Sequence, residues 1–129
     1  FDQHIALPSN MARTYGAASS DALLQKIAAG VKHGITVTAP GFYGPQGRDV
    51  CVRPRMVDFT ERIASFVWDG VSVANLEMET SAIYGLAKAM GHEALTVCLV
   101  IANRVAGSFL NEYHDQMRDM IGRVMERMA

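Results

Sequence analysis

The stretch from Ala94 to Ala102 (ALTVCLVIA) restricts the fold of this chain more than any other segment. Polar and apolar positions do not alternate in it, so neither face of an extended segment there suits water. The run predicts a strand covered on both faces, as in a parallel sheet with helices on either side. It is also far shorter than the roughly 20 apolar residues that a membrane helix needs. Cys98 lies inside it and reads as a buried free thiol.

The flanking sequence supports that layered arrangement. Residues 1–8 read as a strand ended by Pro8, and Ser9 to Ser19 is small and polar, hence loop. Ser19 or Ser20 can cap a helix, because a serine oxygen accepts an orphan backbone N–H. Leu23, Leu24, Ile27 and Ala28 then form a helical stripe that ends near Gly30. Ile35 to Thr38 is short and β-branched, a strand by propensity. The segment 39–48 holds Pro40, Pro45, Gly41, Gly44 and Gly47 and reads as a loop. Val57, Phe59, Ile63 and Phe66 suggest a helix, Asp69-Gly70 a turn, and Val71 to Leu76 a strand. Ile83, Leu86, Ala87 and Met90 follow at helical spacing, with Gly91 as C-cap. Leu110, Tyr113, Met117, Met120, Ile121, Val124 and Met128 mark a closing amphipathic helix, whose methionines suit core or subunit packing. Strands alternating with helices predict an α/β fold with a mixed, mostly parallel central sheet flanked by helices.

Charge and composition narrow the function classes. With 129 residues, 50% of them apolar and 19% charged, the chain has material for one compact core and the balance of a globular protein. A net charge of −1 gives no reason to expect a nucleic-acid surface. Cys51 and Cys98 are too few for a disulfide framework, and no secretory leader opens the chain, so a reducing cytoplasmic setting is the default expectation. His4, His33, His92 and His114 lack metal-ligand spacing, so no metal is expected. The chain opens at Phe1 without an initiator methionine and reads as a piece of a longer protein.

In open parallel sheets, ligands gather at the carboxyl ends of strands. Three segments lie at such ends: the loop after Thr38, the run Glu77-Met78-Glu79, and Asn103-Arg104. A carboxylate in the first turn of a helix is favoured by the helix dipole, and when ionised it only accepts hydrogen bonds. The Glu77–Glu79 run could thus hold the paired hydroxyls of a sugar, or be no more than a favourable charge pair at a helix start.

Taken together and in order, the three segments resemble the nucleoside phosphorylase superfamily, most closely its uridine phosphorylases. The resemblance covers essentially the whole chain, as the C-terminal portion (1–129) of a single α/β domain of that kind. It implies that Glu77, Met78 and Glu79 form the ribose site, with Glu79 accepting from the hydroxyls and Met78 under the sugar ring. The loop Phe42-Tyr43-Gly44-Pro45-Gln46-Gly47-Arg48 resembles the pyrimidine-recognition loop. There Gln46 and Arg48 would read adjacent atoms of uracil, and Arg48 would act catalytically by favouring the leaving base anion. Phe42 would pack on sugar or base, Ile101 would form an apolar wall, and Arg104 would assist the base site. Relatives acting on purines carry an aspartate near Asn103; its replacement here favours pyrimidines.

The implied reaction is phosphate-dependent cleavage of uridine to uracil and ribose 1-phosphate. It needs no cofactor beyond inorganic phosphate as co-substrate, in a homodimer or homohexamer without nucleic-acid or membrane partners. The family's glycine-rich phosphate loop and phosphate-binding arginines have no recognisable counterpart in these 129 residues, so the phosphate-binding residues are unknown. Two other readings stay open: a non-catalytic nucleoside-binding or assembly module, and a purine nucleoside phosphorylase or nucleosidase. Each residue also has a plain alternative. Gln46 and Arg48 could be solvated loop residues, Arg104 could pair with a carboxylate, and Phe42 could anchor the core.

Overall fold

The computed structural model describes residues 1–56 and 58–129; Val57, expected at the start of a helix, lies outside them. The chain divides into two compact units, residues 1–17 with 33–83 and residues 18–32 with 84–129.

The first unit is built on a three-stranded mixed sheet. Strand β1 (Ile35–Thr38) runs parallel to β3 (Val71–Glu77), and β2 (Val67–Trp68) pairs antiparallel with β3. β2 and β3 are joined by Asp69-Gly70, with φ of 49° and 76°. Two central residues at positive φ suit a tight hairpin because their twist matches the strands, and Asp-Gly tolerates it. The register of β1 on β3 shifts once: Ile35 faces Val73, but Thr36 faces Asn75, Val37 faces Leu76 and Thr38 faces Glu77.

That shift is a bulge at Ala74, and it has a packing purpose. In a regular strand, Val73 and Leu76 would point to opposite faces. With the extra residue both pack, along with Val37, against the buried cluster of Ile5, Phe59 and Ile63. Asn75 and Glu77 then take the opposite face. Gly34 makes room for the bulge, since a Cβ there would lie 2.4 Å from Ala74 Cβ. Helix α2 (Phe59–Ala64) supplies Phe59 and Ile63 to the cluster, each one worth about 1.5–3 kcal/mol when fully buried.

Residues 1–8 do not form the expected strand. The Ile5 and Leu7 amides donate to Phe1 and Asp2 carbonyls at 3.0 and 2.9 Å, closing turns, and Ala6 has φ 52°. The segment buries Ile5 and sets Phe1 edge-on to Phe66, ring centroids 5.0 Å apart. A short apolar stretch meets its backbone needs locally as readily as on a sheet edge, and periodicity does not separate the two.

The second unit is mainly helical. Helix α1 (Asp21–Ile27) starts at Ser20, whose hydroxyl accepts from the Leu23 amide at 3.1 Å, as expected of a capping serine. The long helix α4 (His114–Met128) returns to the end of α1. Its Arg127 donates to the Ile27 and Ala29 carbonyls at 2.5 and 3.0 Å, a cation on the negative end of a helix.

Helix α3 (Thr80–Ala89) begins in the first unit and ends in the second. It closes at Gly91, φ 72°, with the His92 amide on the Ala87 carbonyl at 2.8 Å and the Gly91 amide on Lys88 at 3.3 Å. That pair of bonds is the Schellman closure, which needs the left-handed residue that glycine supplies.

The run from Ala94 to Ala102 is the largest departure from expectation. It carries no ladder up to Ala102, which opens the short hairpin β4 (Ala102–Asn103) and β5 (Ser108–Phe109). Its residues are half-buried or exposed, and Cys98 is exposed rather than buried. Apolarity fits a segment to be a covered strand, but a neighbouring strand must complete it, and among the described residues no strand pairs with it before Ala102. The face of α4 is open in the same way: no residue of that helix is buried, and Met125 and Met128 stand exposed. No helix among the described residues is long and apolar enough to cross a membrane.

Candidate functional site

The loop after β1 and the run after β3 emerge side by side, because parallel strands end on the same edge. The Ala39 amide donates to the Glu77 carbonyl at 2.9 Å and carries the parallel pairing to the start of the loop. The loop then closes on itself. A single 3-10 turn spans Gly44–Gln46, and the Tyr43 carbonyl accepts from the Gln46 and Arg48 amides, each at 3.0 Å. Gly47 has φ 68°, and a Cβ on it would lie 2.8 Å from Phe59 Cδ1. Glycine is therefore required there twice over, by conformation and by contact with the core.

This backbone brings three of the expected base-site side chains together. The Arg48 guanidinium lies 3.7 Å from the centroid of the Phe42 ring, a cation–π contact. Its Nη1 donates to the Phe42 carbonyl and, at 2.5 Å, to Gln46 Oε1. Gln46 is only 3% exposed, which removes the reading of an ordinary solvated loop residue. Phe42 is half exposed and so does not anchor the core; its ring meets Tyr43 edge-on at 5.3 Å. An open, largely apolar groove of about 720 Å³ borders the loop, with Tyr43, Pro45, Arg48, Arg53 and Arg55 among its walls. That volume is in the range of small-molecule sites.

The Glu77–Glu79 run separates into two different carboxylates. Glu77 Oε2 accepts from the Glu79 and Thr80 amides at 2.8 and 2.7 Å, and Oε1 accepts from the Thr38 hydroxyl at 2.5 Å. The Thr38 oxygen in turn accepts from the Ser81 amide at 3.0 Å. The Glu79, Thr80 and Ser81 amides at the start of α3 are thereby satisfied. Partial burial pushes the Glu77 carboxyl up, but the hydrogen bonds from Thr38, Glu79 and Thr80 outweigh it and hold the group below the usual glutamate value. Glu79 is exposed, with one oxygen accepting from the Met78 amide at 3.3 Å. Met78 is exposed beside it.

The remaining expected residues belong to the second unit. Ile101 is half-buried and its carbonyl accepts from the Leu110 amide at 2.8 Å. Arg104 is half-buried. Asn103 Oδ1 accepts from the Ala106 amide at 3.0 Å and closes the turn between β4 and β5. Thr38 and Gly47 are the participants that sequence reasoning missed. A glycine between Gln46 and Arg48 is a visible signal for the second, whereas the first depends on strand register.

Comparison with known proteins gives this arrangement its relatives. The model of the phosphorylase superfamily matches residues 6–129, and the chain belongs to that family. A solved structure of a nucleoside phosphorylase from Trypanosoma brucei, described as showing uridine phosphorylase activity, is similar with a TM-score of 0.74 and 29% identity. The match covers 86% of this chain and 42% of that one, so the chain spans less than half the length of its structural relative. No functionally curated protein matches it.

Proposed function

We propose that this member of the phosphorylase superfamily supplies the base-and-ribose side of a pyrimidine nucleoside phosphorylase, acting on uridine. The observation that carries the reading is the Phe42–Gln46–Arg48 cluster, held by a glycine-locked loop at the carboxyl edge of the sheet. Uracil presents O2, N3–H and O4 along its edge. The Arg48 guanidinium fork matches the carbonyls of that edge, and Gln46, whose Oε1 already accepts from Arg48, holds the fork in place.

In phosphorolysis the C1′–N bond breaks as phosphate attacks C1′ from the opposite face. The sugar becomes oxocarbenium-like and the electron pair leaves with the base. Arg48, permanently charged and already oriented on Phe42, favours the developing uracil anion without reorganising. Glu79 accepts from the ribose hydroxyls and Met78 packs under the ring. The resemblance to uridine phosphorylases also implies base-side roles for Ile101 and Arg104. Inorganic phosphate is the co-substrate and no other cofactor is invoked; the working unit is a homo-oligomer in the cytoplasm. The uridine phosphorylase activity named for the trypanosomal relative supports the choice of substrate.

The test is release of uracil from uridine by the full-length natural protein, with and without phosphate. Phosphate-dependent release supports the proposal. Uridine binding with no coupling to phosphate favours a nucleoside-binding module instead, and cleavage of inosine or adenosine in place of uridine favours the purine reading.

A further inference from the structure

We propose that Thr38 is a positioning residue for sugar binding: its hydroxyl locks the Glu77 carboxylate and the first turn of α3 together, so that Glu79 meets the ribose in a fixed place. The inference rests on the ribose-binding role proposed above for Glu79.

Thr38 is the last residue of β1 and stands opposite Glu77, the last residue of β3. Two positions earlier on the same face, Thr36 donates its hydroxyl proton to Asn75 Oδ1 at 2.7 Å. The two rungs form a short polar ladder between parallel strands, and the upper rung reaches the helix. Thr38 uses its hydroxyl both ways, donating to Glu77 Oε1 at 2.5 Å and accepting from the Ser81 amide at 3.0 Å. Glu77 Oε2 holds the two preceding amides. Ser81 is held from outside as well, since its Oγ accepts from the Tyr15 hydroxyl at 3.1 Å.

The first turn of α3 is thus tied to both parallel strands of the sheet, β1 and β3. Glu79 immediately precedes that turn, its carbonyl accepting from the Ile83 amide at 3.2 Å, and its carboxylate does not cap it. Valine at position 38 would keep the shape and the strand propensity but offer neither donor nor acceptor. Glu77 Oε1 and the Ser81 amide would lose their partner, and the turn that follows Glu79 would loosen.

The experiment compares wild type, Thr38→Val and Thr38→Ser in the full-length natural protein. The substrates are uridine and 2′,3′-dideoxyuridine, which lacks the 2′- and 3′-hydroxyls that Glu79 would hold. Thr38→Val should lower kcat/KM for uridine by about tenfold or more, mainly through KM, as expected for losing a hydrogen bond to a charged group. It should leave dideoxyuridine within about twofold, inside the range of a minor perturbation. Thr38→Ser, which keeps the hydroxyl, should restore uridine. Equal losses on both substrates, or a valine variant matching wild type on uridine, would overturn the inference. Wild type inert toward uridine and phosphate would instead overturn the functional reading, and this inference with it.

Discussion

Replacing Gly47 with alanine is expected to destabilise the protein by about 2–5 kcal/mol. The magnitude has two parts. A residue with a Cβ at φ 68° costs about 1–2 kcal/mol in backbone strain. The new methyl would also lie 2.8 Å from Phe59 Cδ1 and 3.0 Å from Phe59 Cβ. Phe59 begins α2 and is buried against Ile5 and Ile63, so it cannot swing away as a flexible surface chain would. Overpacking of that kind adds about 1–3 kcal/mol. Urea unfolding of the two proteins gives the difference directly. Gly44→Ala, on the same loop with open space around the new methyl, is the control and should stay within about 0.5 kcal/mol of wild type. A Gly47→Ala protein as stable as that control would refute the claim that this glycine wedges the loop onto the core. Because Gly47 joins Gln46 to Arg48, its substitution should also slow uracil release, and an unstable variant with unchanged kcat would break the proposed link between core and base site.

Further expectations concern Gly34, Glu77 and Arg48. Gly34→Ala should destabilise by roughly 1–3 kcal/mol in urea unfolding, because its methyl collides with that of Ala74 at the bulge. The Glu77 carboxyl is held below its ordinary value of 4.5, so its contribution to stability is complete above that pH and lost as pH falls through the folded value. Glu77→Gln should therefore lose stability at neutral pH and show a shallower decline below about pH 4.5 than wild type, measured as the urea midpoint against pH. Arg48→Ala should lower kcat/KM for uridine by about a hundredfold, and Arg48→Lys should recover only part, since lysine keeps the charge but not the planar fork. Full activity in the alanine variant would remove Arg48 from the proposed mechanism.

Features set by neighbours in sequence were legible before folding. Ser20 caps α1, Asp69-Gly70 makes the hairpin, and Gly91 closes α3, each because a few adjacent residues contain the whole cause. The same holds for Ile35–Thr38 and for the long closing helix. The failures fall where the cause lies elsewhere in the chain. Ala94 to Ala102 has the composition of a covered strand, yet composition supplies no hydrogen-bonding neighbour. Residues 1–8 have an apolar centre, yet Ile5 reaches the core from a turn. Gln46 stands between proline and glycine, and those neighbours do not give its burial, which accompanies the packing of Gly47 on Phe59 and the bond from Arg48.

The two glutamates of the Glu77–Glu79 run make the same point about the candidate site. By residue type and by distance from the helix start, Glu77 and Glu79 are nearly equivalent, and a helix-dipole argument favours both. What separates them is a threonine 39 residues earlier in the chain. Thr38 reaches Glu77 only because β1 lies on β3 in one register, and a slip by one residue would send its side chain to the opposite face. That register is tied in turn to the bulge at Ala74, which turns Val73 and Leu76 toward the same apolar cluster and leaves Asn75 and Glu77 on the polar face. The bulge needs the bare backbone of Gly34. A short chain of causes therefore runs from a glycine before β1, through the packing of the core, to the carboxylate that opens α3. Glu79, whose exposed carboxylate accepts only from the Met78 amide among the bonds described and holds none of the α3 amides that Glu77 and Thr38 hold, is therefore the carboxylate proposed to meet the ribose.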